Sequence, residues 1–99
     1  MEKKFTVAII GCGSRGTYGY GRTMANMPDK WEIVALCDCD EEKLALTGER
    51  FGVEESQRFV AETEFFTQKR ADVLVIATQD RDHVRMCIQA LQLGYSVLL

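Results

Sequence analysis

From its amino terminus, the chain alternates short β-rich apolar runs with stretches whose apolar residues recur every three or four positions. The apolar runs at 5–10, 32–37, 58–60, 73–77 and 96–99 predict five strands. The stronger runs are continuously apolar rather than alternating, which predicts strands covered on both faces, as in a parallel sheet. Between them, Val84, Cys87, Ile88 and Leu91 fall at i, i+3, i+4 and i+7 and predict the inward face of a helix. Asp80 is placed to cap that helix and Gly94 to stop it. Leu44, Gly48 and Phe51 mark another helix, with Asp40 as its cap and Gly52 at its end. A short helix is predicted around 64–69. The stretch after Gly13 is the poorest helix former, because Gly16, Gly19 and Gly21 each cost roughly 1 kcal/mol against alanine in a helix interior. Those glycines need another reason.

The resulting order, β-α-β-α-β-α-β-α-β, predicts an α/β fold: a three-layer Rossmann-type parallel sheet, strand order 3-2-1-4-5, helices on both faces. In that order the first and fourth strands are neighbours whose onward connections leave in opposite directions. Ligands of doubly wound folds bind in the crevice this creates at the carboxyl ends of the strands. Two loops are therefore singled out before any motif is read, 11–16 and 78–83.

The first loop reads Gly11-Cys12-Gly13-Ser14-Arg15-Gly16. It follows a predicted strand and opens a helix, the context in which GxGxxG binds a dinucleotide. Gly11 permits the tight turn, Gly13 lets a pyrophosphate approach the backbone, and Gly16 lets the helix pack close to the strand. The anion then meets unpaired N–H groups and the positive end of a helix dipole. Ser14 and Arg15 are placed to add a hydroxyl and a cation. Asp38 lies at the end of the second predicted strand, 22 positions beyond Gly16, where an acid accepts from an adenosine ribose. The same carboxylate repels a 2′-phosphate, and the residues after it are Cys39, Asp40, Glu41 and Glu42 with no arginine among them. The expected cofactor is NAD, in preference to NADP. S-adenosylmethionine is the rival ligand class, since its binding proteins share the fold and an acid after the second strand.

Together, the glycine loop, Asp38 and the segment Ala77-Thr78-Gln79-Asp80-Arg81-Asp82-His83 resemble the amino-terminal domain of the Gfo/Idh/MocA oxidoreductases, which include glucose–fructose oxidoreductase and inositol 2-dehydrogenase. The family's fourth strand is followed by Thr-Pro-Asn-x-x-His. Here Thr78 and His83 match, while Gln79 stands for the proline and Asp80 for the asparagine. The resemblance implies that Ala77 and Thr78 contact the dinucleotide and that His83 shapes the loop at the start of its helix, where the helix dipole disfavours its charged form. It further implies a sugar, cyclitol or related polyol as substrate. Family members continue past the fifth strand into a Glu-Lys-Pro motif, whose lysine is associated with catalysis, and then into a second α/β domain. This chain reaches Leu99 where that motif is due. The expectation is a dinucleotide-binding fragment, 1–99, with no catalytic residue of its own and the substrate domain absent. An NAD-dependent glycosidase of the same family, or a stand-alone nucleotide-sensing or partner-binding module, are the alternatives.

Composition narrows the setting. At 99 residues the chain has room for one domain, and its 46% apolar content argues against disorder. A net charge of −3 offers no footprint for nucleic acid or an anionic membrane, and no apolar run reaches the roughly 18 residues of a membrane span. The cytoplasm is the expected compartment. Cys12, Cys37, Cys39 and Cys87 lie in or beside apolar segments and read as small hydrophobes; Cys37-x-Cys39 lacks the spacing of a zinc or redox pair, so no metal is expected. Trp31 reads as core edge, and Tyr20 as packing for the first helix. The apolar end of the fifth strand, Val97, Leu98 and Leu99, predicts self-association through an exposed edge.

Overall fold

The structure, a computed structural model, describes residues 4–13, 19–78 and 80–98, with 80–83 described by backbone alone. Among these residues, strands β1 (Phe5–Ile10), β2 (Trp31–Cys37), β3 (Arg58–Phe59), β4 (Val73–Ile76) and β5 (Ser96–Leu98) alternate with helices α1 (Arg22–Ala25), α2 (Glu41–Phe51), α3 (Glu62–Phe65) and α4 (Asp80–Leu93). The strands form one sheet in the order β3-β2-β1-β4-β5, and every pairing is parallel. The topology is the one the alternation predicts.

Strand periodicity explains the three layers. Val7 and Ile9 of β1, Leu36 of β2 and Val75 of β4 point to one face, where Met24 of α1 and Leu44 of α2 cover them. Their neighbours Ala8, Ile10, Ala35, Cys37, Leu74 and Ile76 point to the other face, beneath Phe65 of α3 and Met86 and Ala90 of α4. Each large aliphatic side chain buried in this way contributes about 1.5–3 kcal/mol. The two-sided burial is what makes the central strands read as unbroken apolar runs. The β1–β2 register shifts between Val7 and Ala8, and beyond that shift Ile10 lies opposite Cys37 at the carboxyl ends.

Helix ends follow the caps. Asp40 is extended, and its Oδ1 accepts from the N–H groups of Glu42 (3.0 Å) and Lys43 (3.1 Å), satisfying two donors of the first turn of α2. Gly52 closes α2 with its N–H on the carbonyl of Gly48, and Gly94 follows the last turn of α4. At the start of α4 the expected cap, Asp80, is instead the first helical residue.

Three further expectations are corrected. The stripe Val84, Ile88 and Leu91 faces solvent, at 71, 52 and 58% exposure, while Met86 and Ala90 are buried and Cys87 and Leu93 are half-buried. Ala90 explains the choice: a methyl side chain lets α4 lie close on the sheet, and Met86 one turn earlier fills the remaining gap. The third helix starts at Glu62 rather than at 64 and ends at Phe65, whose wholly buried ring meets Phe59, Phe66 and Tyr95 at centroid distances of 5.8, 5.3 and 6.4 Å. Arg70 fixes that cluster from outside, with Nε donating to the Phe65 carbonyl at 2.9 Å and the guanidinium 4.1 Å from the Phe59 ring centre. Finally, Cys39 is exposed and does not act as a buried hydrophobe, unlike Cys12 and Cys37.

Candidate functional site

The carboxyl ends of β1, β2 and β4 deliver three short segments to one crevice. Gly11 is where two of them touch. Its N–H donates to the carbonyl of Cys37 at 2.9 Å, and its φ is +96°. A side-chain carbon at Gly11 would sit 2.8 Å from the carbonyl carbon and oxygen of Ala77 and 3.1 Å from the nitrogen of Thr78. Only glycine combines that backbone angle with that approach. Just beforehand, the N–H of Ala77 donates to the carbonyl of Ile10 at 2.8 Å, which carries the β1–β4 pairing to the lip of the crevice.

Gly13 has the opposite environment. Among the described residues, its two chain neighbours aside, no atom lies within 4 Å of the position its Cβ would take, and its φ is not positive. Its missing side chain leaves open space rather than relieving a clash. That is the cradle a bound pyrophosphate would need at the backbone.

Asp38 is held from both sides. Its own N–H donates to the Phe59 carbonyl at 3.0 Å, anchoring the end of β2 to β3. Its Oδ2 accepts from the N–H of Cys12 at 2.7 Å, and its Oδ1 from the N–H of Asp40 at 2.8 Å. A carboxylate oxygen can accept more than one hydrogen bond, so both oxygens retain capacity for a pair of ribose hydroxyls. The carboxylate also acts on the thiol beside it. Burial, then the charge of Asp38, push the Cys12 thiol up to about 12, against a smaller opposing effect from a hydrogen bond with Thr47 of α2. Cys37 is likewise pushed up to about 12, chiefly by burial. Both thiols stay protonated at neutral pH and serve as packing, not as nucleophiles.

Of the residues singled out from the sequence, the structure brings Gly11, Asp38, Ala77 and Thr78 to the crevice, with Gly13 opening beside them. The Thr78 hydroxyl lies 3.7 Å from the sulfur of Met86, which ties the loop after β4 to α4. His83 lies in the first turns of α4, and its side chain is outside the described residues; so are Ser14, Arg15 and Gly16. Sequence reasoning missed two participants, the backbone N–H groups of Cys12 and Asp40. Neither carries a side-chain signal, although the i to i+2 spacing of Asp38 and Asp40 marks a turn of the kind aspartate favours. Among the described residues, two cavities of about 520 and 550 Å³ open near Trp31, at the other end of β2 from Asp38. The crevice is therefore assigned on hydrogen bonding and topology, not on enclosed volume.

Known proteins are similar to this chain in sequence and fold. A D-apiose dehydrogenase of Paraburkholderia graminis is 36% identical over 98 residues, which is 97% of this chain and 24% of that protein. The WlbA dehydrogenase of Bordetella pertussis, solved with NADH and UDP-GlcNAcA, superposes with a TM-score of 0.84 at 27% identity, over 96% of this chain and 28% of the other. A myo-inositol dehydrogenase of Corynebacterium glutamicum gives 0.80 at 25% identity, over 96% and 27%. The chain thus spans about a quarter of the length of the relatives it matches. Residues 5–99 match the Gfo/Idh/MocA profile, described as an oxidoreductase family with an NAD-binding Rossmann fold, and the chain belongs to that family.

Proposed function

We propose that residues 1–99 form the dinucleotide-binding part of an NAD-dependent dehydrogenase that passes a hydride between nicotinamide and a sugar, cyclitol or related polyol. The observation that carries this reading is Asp38: a carboxylate pinned at the end of β2 by two N–H groups, beside a glycine loop with open space at Gly13. When bound, NAD would supply the hydride acceptor. The chain's own task is to hold it. Gly11 keeps the two loops in contact, Gly13 admits the pyrophosphate, and Ser14, Arg15 and the N–H groups around Gly16 meet its charge. Asp38 binds the adenosine ribose and turns away the 2′-phosphate of NADP, while Ala77, Thr78 and His83 line the nicotinamide side. The relatives support the substrate class: one bears the name D-apiose dehydrogenase, another myo-inositol dehydrogenase, and a third was solved with NADH and a UDP-sugar derivative. The substrate-holding residues of the whole protein would lie outside the quarter of the relatives that this chain spans. A cofactor-dependent dehydrogenase with free thiols fits the cytoplasm.

Nitrogen-15 NMR tests the site directly. Added NAD should shift the amides of Gly11, Gly13, Asp38, Ala77 and Thr78 while leaving those near Trp31 unmoved; shifts confined to the Trp31 end would refute the assignment. We further propose that the chain self-associates through the outer edge of β5, which among the described residues pairs with β4 alone, and the exposed Val84, Ile88 and Leu91 face of α4. A sedimentation coefficient that rises with concentration is expected, and a constant monomer value would contradict it.

A further inference from the structure

We infer that Asp40 is a positioning residue for the cofactor's adenosine end: as the cap of α2, it fixes the N–H that orients Asp38. The inference rests on the NAD-binding reading above. Two hydrogen-bond systems meet at this one residue. Its side-chain Oδ1 is pinned to the start of α2 by the N–H groups of Glu42 and Lys43, at 3.0 and 3.1 Å. Its own N–H is thereby aimed at Asp38 Oδ1, 2.8 Å away. The second oxygen of Asp38 is held by the Cys12 N–H at 2.7 Å, so the carboxylate is a bridge between the cap of α2 and the glycine loop. Thr47, buried on α2 and hydrogen-bonded to the Cys12 thiol, ties the same helix to the same loop a second time. Helix α2, Asp38 and the loop therefore form a closed ring of contacts.

Within that ring the Asp40 carboxylate is engaged by the first turn of α2, through the N–H groups of Glu42 and Lys43. Its role is geometric. Without the side chain, the first turn of α2 loses an acceptor shared by two donors and its end frays. The Asp40 N–H then no longer restrains Asp38 Oδ1, and the carboxylate can rotate about its side-chain bonds. A freely rotating carboxylate binds the ribose diol less well, because part of the binding energy goes into ordering it. NADP, which the oriented carboxylate disfavours, should lose less.

Asp40→Ala and Asp40→Asn separate geometry from charge, since asparagine caps a helix about as well as aspartate. In Asp40→Ala, the dissociation constant for NAD should rise roughly three- to tenfold and the NAD-over-NADP ratio should shrink. Asp40→Asn should retain both values. Hydrogen exchange supplies a readout that needs no ligand: the Cys12 amide should exchange roughly tenfold faster in Asp40→Ala and unchanged in Asp40→Asn. A folded Asp40→Ala protein with wild-type NAD affinity would overturn the inference. So would an Asp40→Asn protein as weak as the alanine variant, which would make the role one of charge. If wild-type protein binds neither dinucleotide, the functional reading falls and the cofactor role with it; a protected Cys12 amide in Asp40→Ala would instead show the geometric link itself to be wrong.

Discussion

Alanine at Gly11 and alanine at Gly13 should have opposite consequences, although both are glycine-to-alanine changes two residues apart. At Gly11 the backbone sits at φ +96°, and forcing an L-residue into such a conformation costs roughly 1–3 kcal/mol. The new methyl would also lie 2.8 Å from the carbonyl carbon and oxygen of Ala77, main-chain atoms at the end of β4 that cannot rotate away. Overpacking of that kind adds roughly another 1–3 kcal/mol. The combined loss of roughly 2–6 kcal/mol is a large share of the 5–15 kcal/mol that stabilises a typical domain. For a chain of this size it corresponds to a fall in melting temperature of at least about 10 °C. At Gly13 the same methyl meets no atom within 4 Å among the described residues beyond its chain neighbours, and it needs no positive φ. Restricting the unfolded chain should there leave stability unchanged or raise it by about 0.4–1 kcal/mol. The methyl would, however, occupy the space through which, on the proposed function, a pyrophosphate would reach the backbone. NAD affinity should fall by about tenfold or more, which is about 1.4 kcal/mol or more of binding. Thermal melts followed by circular dichroism and NAD titration of the folded variant read the two effects separately. A Gly11→Ala protein that melts with the wild type would refute the argument from Ala77. A Gly13→Ala protein that melts normally and binds NAD with unchanged affinity would show that the open space is not the phosphate site.

Three further outcomes follow from the packing and the buried thiols. Phe65→Ala, at the centre of the aromatic cluster, should cost about 3–5 kcal/mol in denaturant unfolding, and a loss below about 1 kcal/mol would mean the cluster contributes little. Tyr95→Phe removes the hydroxyl that accepts the Arg70 N–H at 2.8 Å and should cost about 1–2 kcal/mol; an unshifted thermal midpoint would show that Arg70 finds another acceptor. Cys12 and Cys37 ionise near 12 in the folded state and near the ordinary thiol value of 9 once unfolded, so their contribution is intact below pH 9 and is lost as pH rises towards 12. Each thiol should lower stability by up to about 1.4 kcal/mol per pH unit in that window, and Cys12→Ala should flatten the slope; a denaturation midpoint constant from pH 9 to beyond pH 10 would contradict this.

Strand identity was legible because continuous apolar runs such as 73–77 have few other uses in a short α/β chain, and alternation then restricted the order. The facing of α4 was not legible. Val84, Ile88 and Leu91 stand at i, i+4 and i+7, but so do Met86, Ala90 and Leu93, and the two stripes are equally periodic. Periodicity says which residues share a face; it does not say which face the sheet receives. Here the small side chain of Ala90 decided, by allowing the closer approach. The brief α3 was misplaced because Ala61, its capping position, makes no side-chain cap for a reader to find. At the site, Gly11 and Asp38 were marked by side-chain chemistry and spacing. The contact that requires Gly11 to lack a side chain comes from Ala77, 66 positions away, and is a tertiary fact. The N–H groups that orient Asp38 are common to almost every residue type, so only the folded loop reveals them.

Calorimetric titration of one folded sample with NAD, then with NADP under identical buffer and salt, tests whether the crevice beside Asp38 binds a dinucleotide and which one it prefers. One saturable site for NAD is expected, with NADP at least roughly tenfold weaker, because the charge of the Asp38 carboxylate, held by the Cys12 and Asp40 N–H groups, would oppose a 2′-phosphate beside it. Absence of heat and of any binding signal with either dinucleotide would contradict the assignment of the crevice. Tighter binding of NADP would contradict the role given to Asp38.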